Sequence, residues 1–252
     1  MNNEPVEALQ EPIQVCLLAG KIMLQSGAET YRVEDTMTRM ADALGLKGSD
    51  SYVTPTGIVF QCGEGESAKL IRIVERTTDL QKVAAVNDIS RKLGRGEMNA
   101  DEAHAMLRDI ERSKVAYPMW LQIAAASIAS GCFTLMYRGG ASDFIPGVLC
   151  GGLGFSGFLL FHHLVKVKFF AEFTASLLVG LLGVLLVTLN VGQELDKIII
   201  GSVMPLVPGL LITNAVRDLM AGHLVSGLSR GAEAFLTAFA IGAGVAVVFT
   251  LF

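Results

Sequence analysis

Phe169-Phe-Ala-Glu-Phe-Thr-Ala-Ser-Leu-Leu-Val-Gly-Leu-Leu-Gly-Val-Leu-Leu-Val-Thr-Leu-Asn190 holds one charged side chain, Glu172, in 22 residues. A helix rises 1.5 Å per residue, so a run of this length crosses the ~30 Å hydrocarbon core of a bilayer. Four further apolar runs read the same way: Tyr117–Tyr137, Phe144–Leu164, Ile198–Val216 and Ala232–Phe252. Short segments join them. Residues 117–252 are therefore predicted to form a five-span transmembrane domain. Charge divides the chain at the same place. Residues 1–116 carry 14 Lys/Arg and 18 Asp/Glu, whereas the longer stretch 117–252 carries six of each. The fold expected is a membrane α-helical bundle of five transmembrane helices with an N-terminal cytosolic α+β domain over residues 1–116.

Composition excludes several alternatives. Of 252 residues 52% are apolar and only 17% charged, against about a quarter charged in soluble globular chains. An ordinary soluble enzyme does not look like this. A net charge of −4 gives nucleic acid no basic face. Cys16, Cys62, Cys132 and Cys150 form no CxxC, so neither a disulfide framework nor a zinc site is expected. The opening Met1-Asn-Asn-Glu-Pro-Val-Glu7 has no basic region or apolar core, so no signal peptide is expected. With the first domain cytosolic, the inner loops hold Lys166, Lys168, Arg217 and Arg230, and the outer ones only Arg138 and Lys197. The excess of basic residues inside favours that orientation, with an external C-terminus.

Within the first domain, residues 7–45 read as two helices broken at Ser26-Gly27, the second ending at Gly45. Its Val33, Met37, Met40 and Leu44 make one stripe for packing. Ser51–Cys62 and Lys69–Val74 read as strands of a hairpin around Gly63-Glu-Gly-Glu-Ser67. Thr78–Leu93 returns to helical spacing before Gly94, and Asn99-Ala-Asp-Glu102 is a capping box opening a helix to about Lys114.

The membrane half departs from an inert anchor. Gly147, Gly151, Gly152, Gly154 and Gly157 give the second span a small-residue face for close helix packing. Gly152-Leu-Gly-Phe-Ser-Gly157 matches GxGxxG formally, but a dinucleotide site needs a strand before it, so that reading is rejected. Met204-Pro-Leu-Val-Pro-Gly209 puts two prolines and a glycine into the fourth span, which predicts a broken helix. Backbone groups freed at such a break must face protein or water, and secondary transporters build sites there. Polar residues gather near the predicted cytosolic ends of the spans: His162, His163, Glu172, Thr213, Asn214, Arg217, Asp218 and Glu233. Ionisable groups within spans ordinarily line a bundle interior or an aqueous path. Near a helix end they also snorkel to the interface, the plain reading for Lys166, Lys168 and Glu172. Arg217 and Asp218 point about 100° apart on a helix, while Asn214 and Arg217 share a face that suits a carboxylate. His162 and His163 are candidate proton carriers on the ordinary titration range of histidine alone. No HExxH is present, and His162 and Glu172 lack zinc-ligand company, so no enzyme is expected.

Two stretches give the chain a resemblance to the bacterial threonine/serine exporter family. One is Ser26-Gly-Ala-Glu-Thr-Tyr-Arg-Val-Glu34 with Ala41-Asp-Ala-Leu-Gly45 and Val53-Thr-Pro-Thr-Gly57. The other is Pro205-Leu-Val-Pro-Gly209, Thr213-Asn-Ala-Val-Arg-Asp-Leu219, Ser226-Gly-Leu-Ser-Arg230 and Glu233-Ala234. His223 stands where the family carries an acidic residue. Family members of full length have about ten spans, so the chain resembles the longer subunit of the split form, similar to a two-subunit inner-membrane succinate exporter. The resemblance implies proton-driven export of succinate, or next threonine and serine, with a smaller multi-span membrane partner and no cofactor. The helix break and the polar face beside it put the expected substrate path at Pro205, Pro208, Gly209, Thr213, Asn214, Arg217 and Asp218. Candidate proton carriers are His162, Glu172 and His223, and Glu29, Tyr31 and Arg32 form a candidate cytosolic gate. The alternative is a membrane-tethered sensor acting through its cytosolic domain.

Overall fold

A computed structural model describes residues 4–63, 67–113, 117–165 and 167–252. The tip of the loop around Gly63–Ser67, the expected helix end at Lys114 and the loop charge Lys166 lie outside the described residues. The chain forms two compact units. The first joins residues 1–114 to the distant segment 212–231, and the second comprises residues 115–211 and 232–252. The sequence reading had assigned 212–231 to the span block; it packs with the N-terminal residues.

In the first unit, α1 (Glu4–Gln25) and α2 (Thr30–Ala43) meet at Gly20, where a Cβ would overlap the Met37 side chain. Val33, Met37 and Met40 are wholly buried, and Leu44 packs at the edge of the same core. A three-stranded antiparallel sheet follows, β1 (Ser49–Thr54), β2 (Gly57–Cys62) and β3 (Lys69–Arg72), in that order. The stretch read as one strand from Ser51 to Cys62 is thus two strands. Register runs from Ser49 opposite Cys62 to Thr54 opposite Gly57, which leaves Pro55-Thr56 as a two-residue turn. Proline lacks the N–H a continuous strand would use, and that is the physical reason for the break. Ile58, Phe60 and Cys62 alternate into the core while Val59 and Gln61 face outward, the period of two of a half-buried strand. Helices α3 (Leu80–Gly94) and α4 (Ala100–Arg112) complete the core with Val83, Val86, Ile89, Ala103 and Leu107. The Asn99 capping box is formed in both directions.

In the second unit, α5 (Met119–Met136), α6 (Phe144–Val165) and α7 (Lys168–Thr188) are each long and apolar enough to span a membrane. So is α10 (Leu224–Leu251), whose residues from Ala232 onward belong here. The stretch containing the fourth predicted run divides into α8 (Leu195–Val203), a 3-10 turn (Met204–Leu206) and α9 (Gly209–Met220), bent by 61° at the break. Among the described residues, four helices therefore qualify as spans by length and composition, and five if the bent pair counts as one. The glycines of α6 act as spacers. A Cβ at Gly147 or Gly151 would overlap Thr134 or Ser130 of α5, and one at Gly154 would overlap Val179 of α7. Gly152–Gly157 thus lies inside a packed helix. Leu149, Leu153, Leu160, Leu185, Phe235 and Phe239 are exposed. An outer surface this apolar needs lipid around it. Asp143, fully buried, accepts hydrogen bonds from the backbone N–H of Gly140, Gln193 and Glu194 and so ties the α5–α6 loop to the α7–α8 loop.

Candidate functional site

The break in the bent pair follows from its two prolines. Pro205 sits in the first turn of the 3-10 helix, and Pro208 holds Val207 in extended backbone, φ −63° and ψ 130°. The residue before a proline avoids the helical region, so α8 cannot run on into α9. Pro205, Pro208 and Gly209 all lie in the second unit. So do His162, exposed and stacked on Phe158, and Glu172. Glu172 is buried near the start of α7, one carboxylate oxygen 3.6 Å from the Lys168 ammonium. Its other oxygen has no hydrogen-bond partner among the described residues. The Lys168 ammonium also lies 3.9 Å from Glu233.

The remaining candidates come together within the first unit, around the link between α1 and α2. Helix α1 closes with Gly27 at φ +88°, the Ala28 N–H returning to Met23 O at 3.0 Å and the Gly27 N–H to Leu24 O at 3.3 Å. This Schellman turn satisfies the last carbonyls of α1 and leaves those of residues 25–28 pointing outward. Each finds a donor. Thr77 N–H reaches Gln25 O at 2.8 Å, and Asp79 N–H reaches Ser26 O at 3.0 Å. The Asn214 side-chain amide donates to Gly27 O at 2.9 Å, and the Arg230 guanidinium to Ala28 O at 2.7 Å.

Glu29 and Thr30 open α2. Glu29 occupies the N-cap position but makes no capping bond with its side chain. The cap comes from Asp218, which accepts from Thr30 N–H at 2.9 Å and from Thr30 Oγ1 at 3.1 Å. A carboxylate there also meets the positive end of the helix dipole. Freed from capping, the Glu29 carboxylate bridges two guanidiniums, one oxygen taking Arg217 Nη1 and the other Arg32 Nη1, the latter at 3.1 Å. Burial pushes Glu29 up, yet its own backbone N–H, Arg217 and Arg32 outweigh that and hold it below the usual carboxylate range.

The opposite side of the cluster is built by a second glycine turn. Helix α9 ends at Gly222, φ +87°, with His223 N–H on Asp218 O at 2.9 Å, so the chain reverses at once into α10. At Gly227 a Cβ would meet Leu219 and Ala215 O, which fixes how closely the two helices approach. That reversal puts Arg230 3.4 Å from Asp218, Ser226 Oγ 3.3 Å from Val53 O and His223 Nε2 3.6 Å from Glu34. The other Glu34 oxygen accepts from Val53 N–H at 2.8 Å. Burial pushes Glu34 up, against the pull of Val53 N–H and His223, and Asp50 and Asp218 add to the rise.

Of the residues singled out in the sequence, Glu29, Arg32, Asn214, Arg217, Asp218 and His223 thus belong to one cluster. Tyr31 is half-buried next to Arg32 in α2, and Thr213 is exposed on α9. Arg217 and Asp218 engage Glu29 and Thr30 rather than each other. Sequence reasoning assigned no site role to Thr30, Glu34, Ser226 or Arg230. All four sit inside the stretches that carried the family resemblance, the only signal that could have found them.

The family profile described as "Putative threonine/serine exporter" matches residues 14–252. The "Probable succinate transporter subunit YjjP" of Klebsiella aerogenes is 26% identical over 246 residues, covering 94% of this chain and 93% of that one. The Escherichia coli K12 protein of the same name is also 26% identical, with the same coverage. The "Probable threonine/serine exporter" of Mycobacterium tuberculosis is 24% identical over 90% of this chain, which spans 44% of that longer protein. No solved structure matches. With four or five apolar helices and a match over nearly its whole length, the chain belongs to the threonine/serine exporter family of membrane transporters.

Proposed function

We propose that this chain is one subunit of a proton-driven secondary exporter of small carboxylates or amino acids, succinate first and threonine or serine next. A smaller multi-span membrane protein of the same family completes the transporter. Residues 1–116 lie in the bacterial cytosol, and residues 117–252 cross the inner membrane five times and end outside. The word "subunit" in the names of the Klebsiella and Escherichia relatives supports a partner. An odd number of spans supports an inverted second half, the plan of many transporters.

The observation that carries this reading is Arg217. Its side chain is 55% exposed, already holds a carboxylate, and lies one turn from Asn214. Guanidinium is suited to capturing carboxylate in two-pronged fashion. Substrate enters past Glu29, Tyr31 and Arg32 and is taken by Arg217 and Asn214, with Thr213 and Asp218 along the path. Alternating access turns on the break at Pro205, Pro208 and Gly209. A proton on His162, Glu172 or His223 returns the carrier. Arg217→Ala is expected to abolish efflux while the protein reaches the membrane in normal amount. Normal efflux from a well-expressed Arg217→Ala variant overturns the reading.

A further inference from the structure

Glu29 is an unusual companion for two arginines. Its side chain is only 6% exposed, while those of Arg32 and Arg217 are 42% and 55% exposed. Each guanidinium gives one nitrogen to one oxygen of the same carboxylate. A guanidinium has five N–H donors, so both retain donors on their exposed sides. Asp218 and Arg230, close by, are engaged with Thr30, Ala28 and each other, and Glu34 faces His223 and Val53 N–H. The pair Arg32–Arg217 is therefore the part of the cluster that solvent reaches with unspent positive charge.

We infer that Arg32 and Arg217 together form the receptor for a substrate carboxylate, with Glu29 as its resident occupant, displaced when substrate binds. The inference rests on the exporter reading above and deepens it. A second carboxylate cannot simply join the first, because two carboxylates sharing one site repel. The exchange is one carboxylate for another, and Glu29 swings off as the ligand arrives. Charge also sets the substrate class. Two guanidiniums are fully neutralised by a dicarboxylate such as succinate. A zwitterionic amino acid neutralises one and brings its ammonium towards the other, where like charge disfavours it. Glu29 therefore works as an internal competitor that empties the site when substrate is scarce, and Arg32 as the second half of the receptor.

The test is labelled-succinate and labelled-threonine efflux from cells making the full chain with its smaller membrane partner, over a range of internal concentrations. Glu29→Gln is expected to lower the KM for succinate by about three- to tenfold, the net scale of one hydrogen bond, and that for threonine less. Arg32→Ala is expected to raise the succinate KM by a similar factor. Glu111→Gln, which removes a peripheral ion pair with Lys21, leaves both unchanged. Arg32 is half-exposed, so its variant carries the test even if Glu29→Gln folds poorly. A wild-type KM in Arg32→Ala, or a raised KM in well-expressed Glu29→Gln, overturns the inference while wild-type efflux keeps the exporter reading standing. Absence of efflux of either solute by the wild-type pair overturns both.

Discussion

Asp218 caps α2 from 188 residues further along the chain, a task that Ser, Thr, Asp or Asn usually performs from the adjacent position. Glu29, which stands at that position, is released to bind guanidinium instead. The two substitutions of role belong together and explain why a buried Asp218–Arg230 pair is tolerated. Each of its members also satisfies backbone or hydroxyl groups at the α1–α2 link, as a buried ion pair requires. Neither role is legible in the residue types. Helical spacing puts Asn214 and Arg217 on one face, but spacing cannot say that Asn214 meets the Gly27 carbonyl or that the carboxylate Arg217 meets belongs to the chain itself. The acid response follows from the same geometry. Glu29 is held low, so the folded state binds fewer protons than the unfolded one across the acid side of the carboxylate range. Its contribution is complete above the unfolded-state value and is lost as pH falls through the lower folded value. Glu34 is held high, so its contribution is present at acid pH and is lost as pH rises through the raised folded value. Thermal unfolding of the detergent-solubilised chain, scanned from neutral pH into acid, should show Glu29→Gln less stable at neutral pH and with a shallower acid loss. Identical pH profiles for the two proteins contradict the assignment.

Elements were read from the sequence with uneven success, and the failures have physical causes. The apolar runs became α5, α6, α7 and most of α10 because twenty apolar residues in a row leave a helix few alternatives in lipid. The Asn99 capping box and the stop at Gly45 are local chemistry and are found where the spacing put them. The strand pair hidden in Ser51–Cys62 was missed because β-branched residues flank Pro55-Thr56 on both sides and mask the turn. Helix α3 includes Gly94, and the left-handed residue that ends it is Gly96; two glycines so close together cannot be ranked by pattern alone. The prolines of the bent pair were the clearest signal, and they produced the break expected of them. Replacing both, Pro205→Ala with Pro208→Ala, restores the N–H of residue 208 and removes the restraint on Val207, favouring a continuous helix. The account expects such a protein to insert normally and to lose at least about tenfold in efflux rate. Undiminished efflux would make the break a packing feature with no part in transport.

For the molecule taken as a whole, the sequence divided the chain by charge density, and the structure adds a connection that charge density does not carry. Residues 212–231 share the charge-poor half of the sequence yet pack in the first unit. The two stretches that resemble the exporter family, some 180 residues apart, supply opposite sides of one polar cluster there. Family resemblance thus located the site's pieces, and only three-dimensional packing assembled them. The central claim is that this cluster serves transport in company with a second membrane chain. The most direct measurement is efflux of labelled succinate and labelled threonine from preloaded cells lacking their own exporters, with this chain alone and with the proposed smaller partner. The account predicts efflux with both chains only, succinate faster than threonine, collapsing when the proton gradient is discharged. No efflux of either solute, with both chains present in the membrane, contradicts it and transfers the cluster to ligand sensing by the first unit.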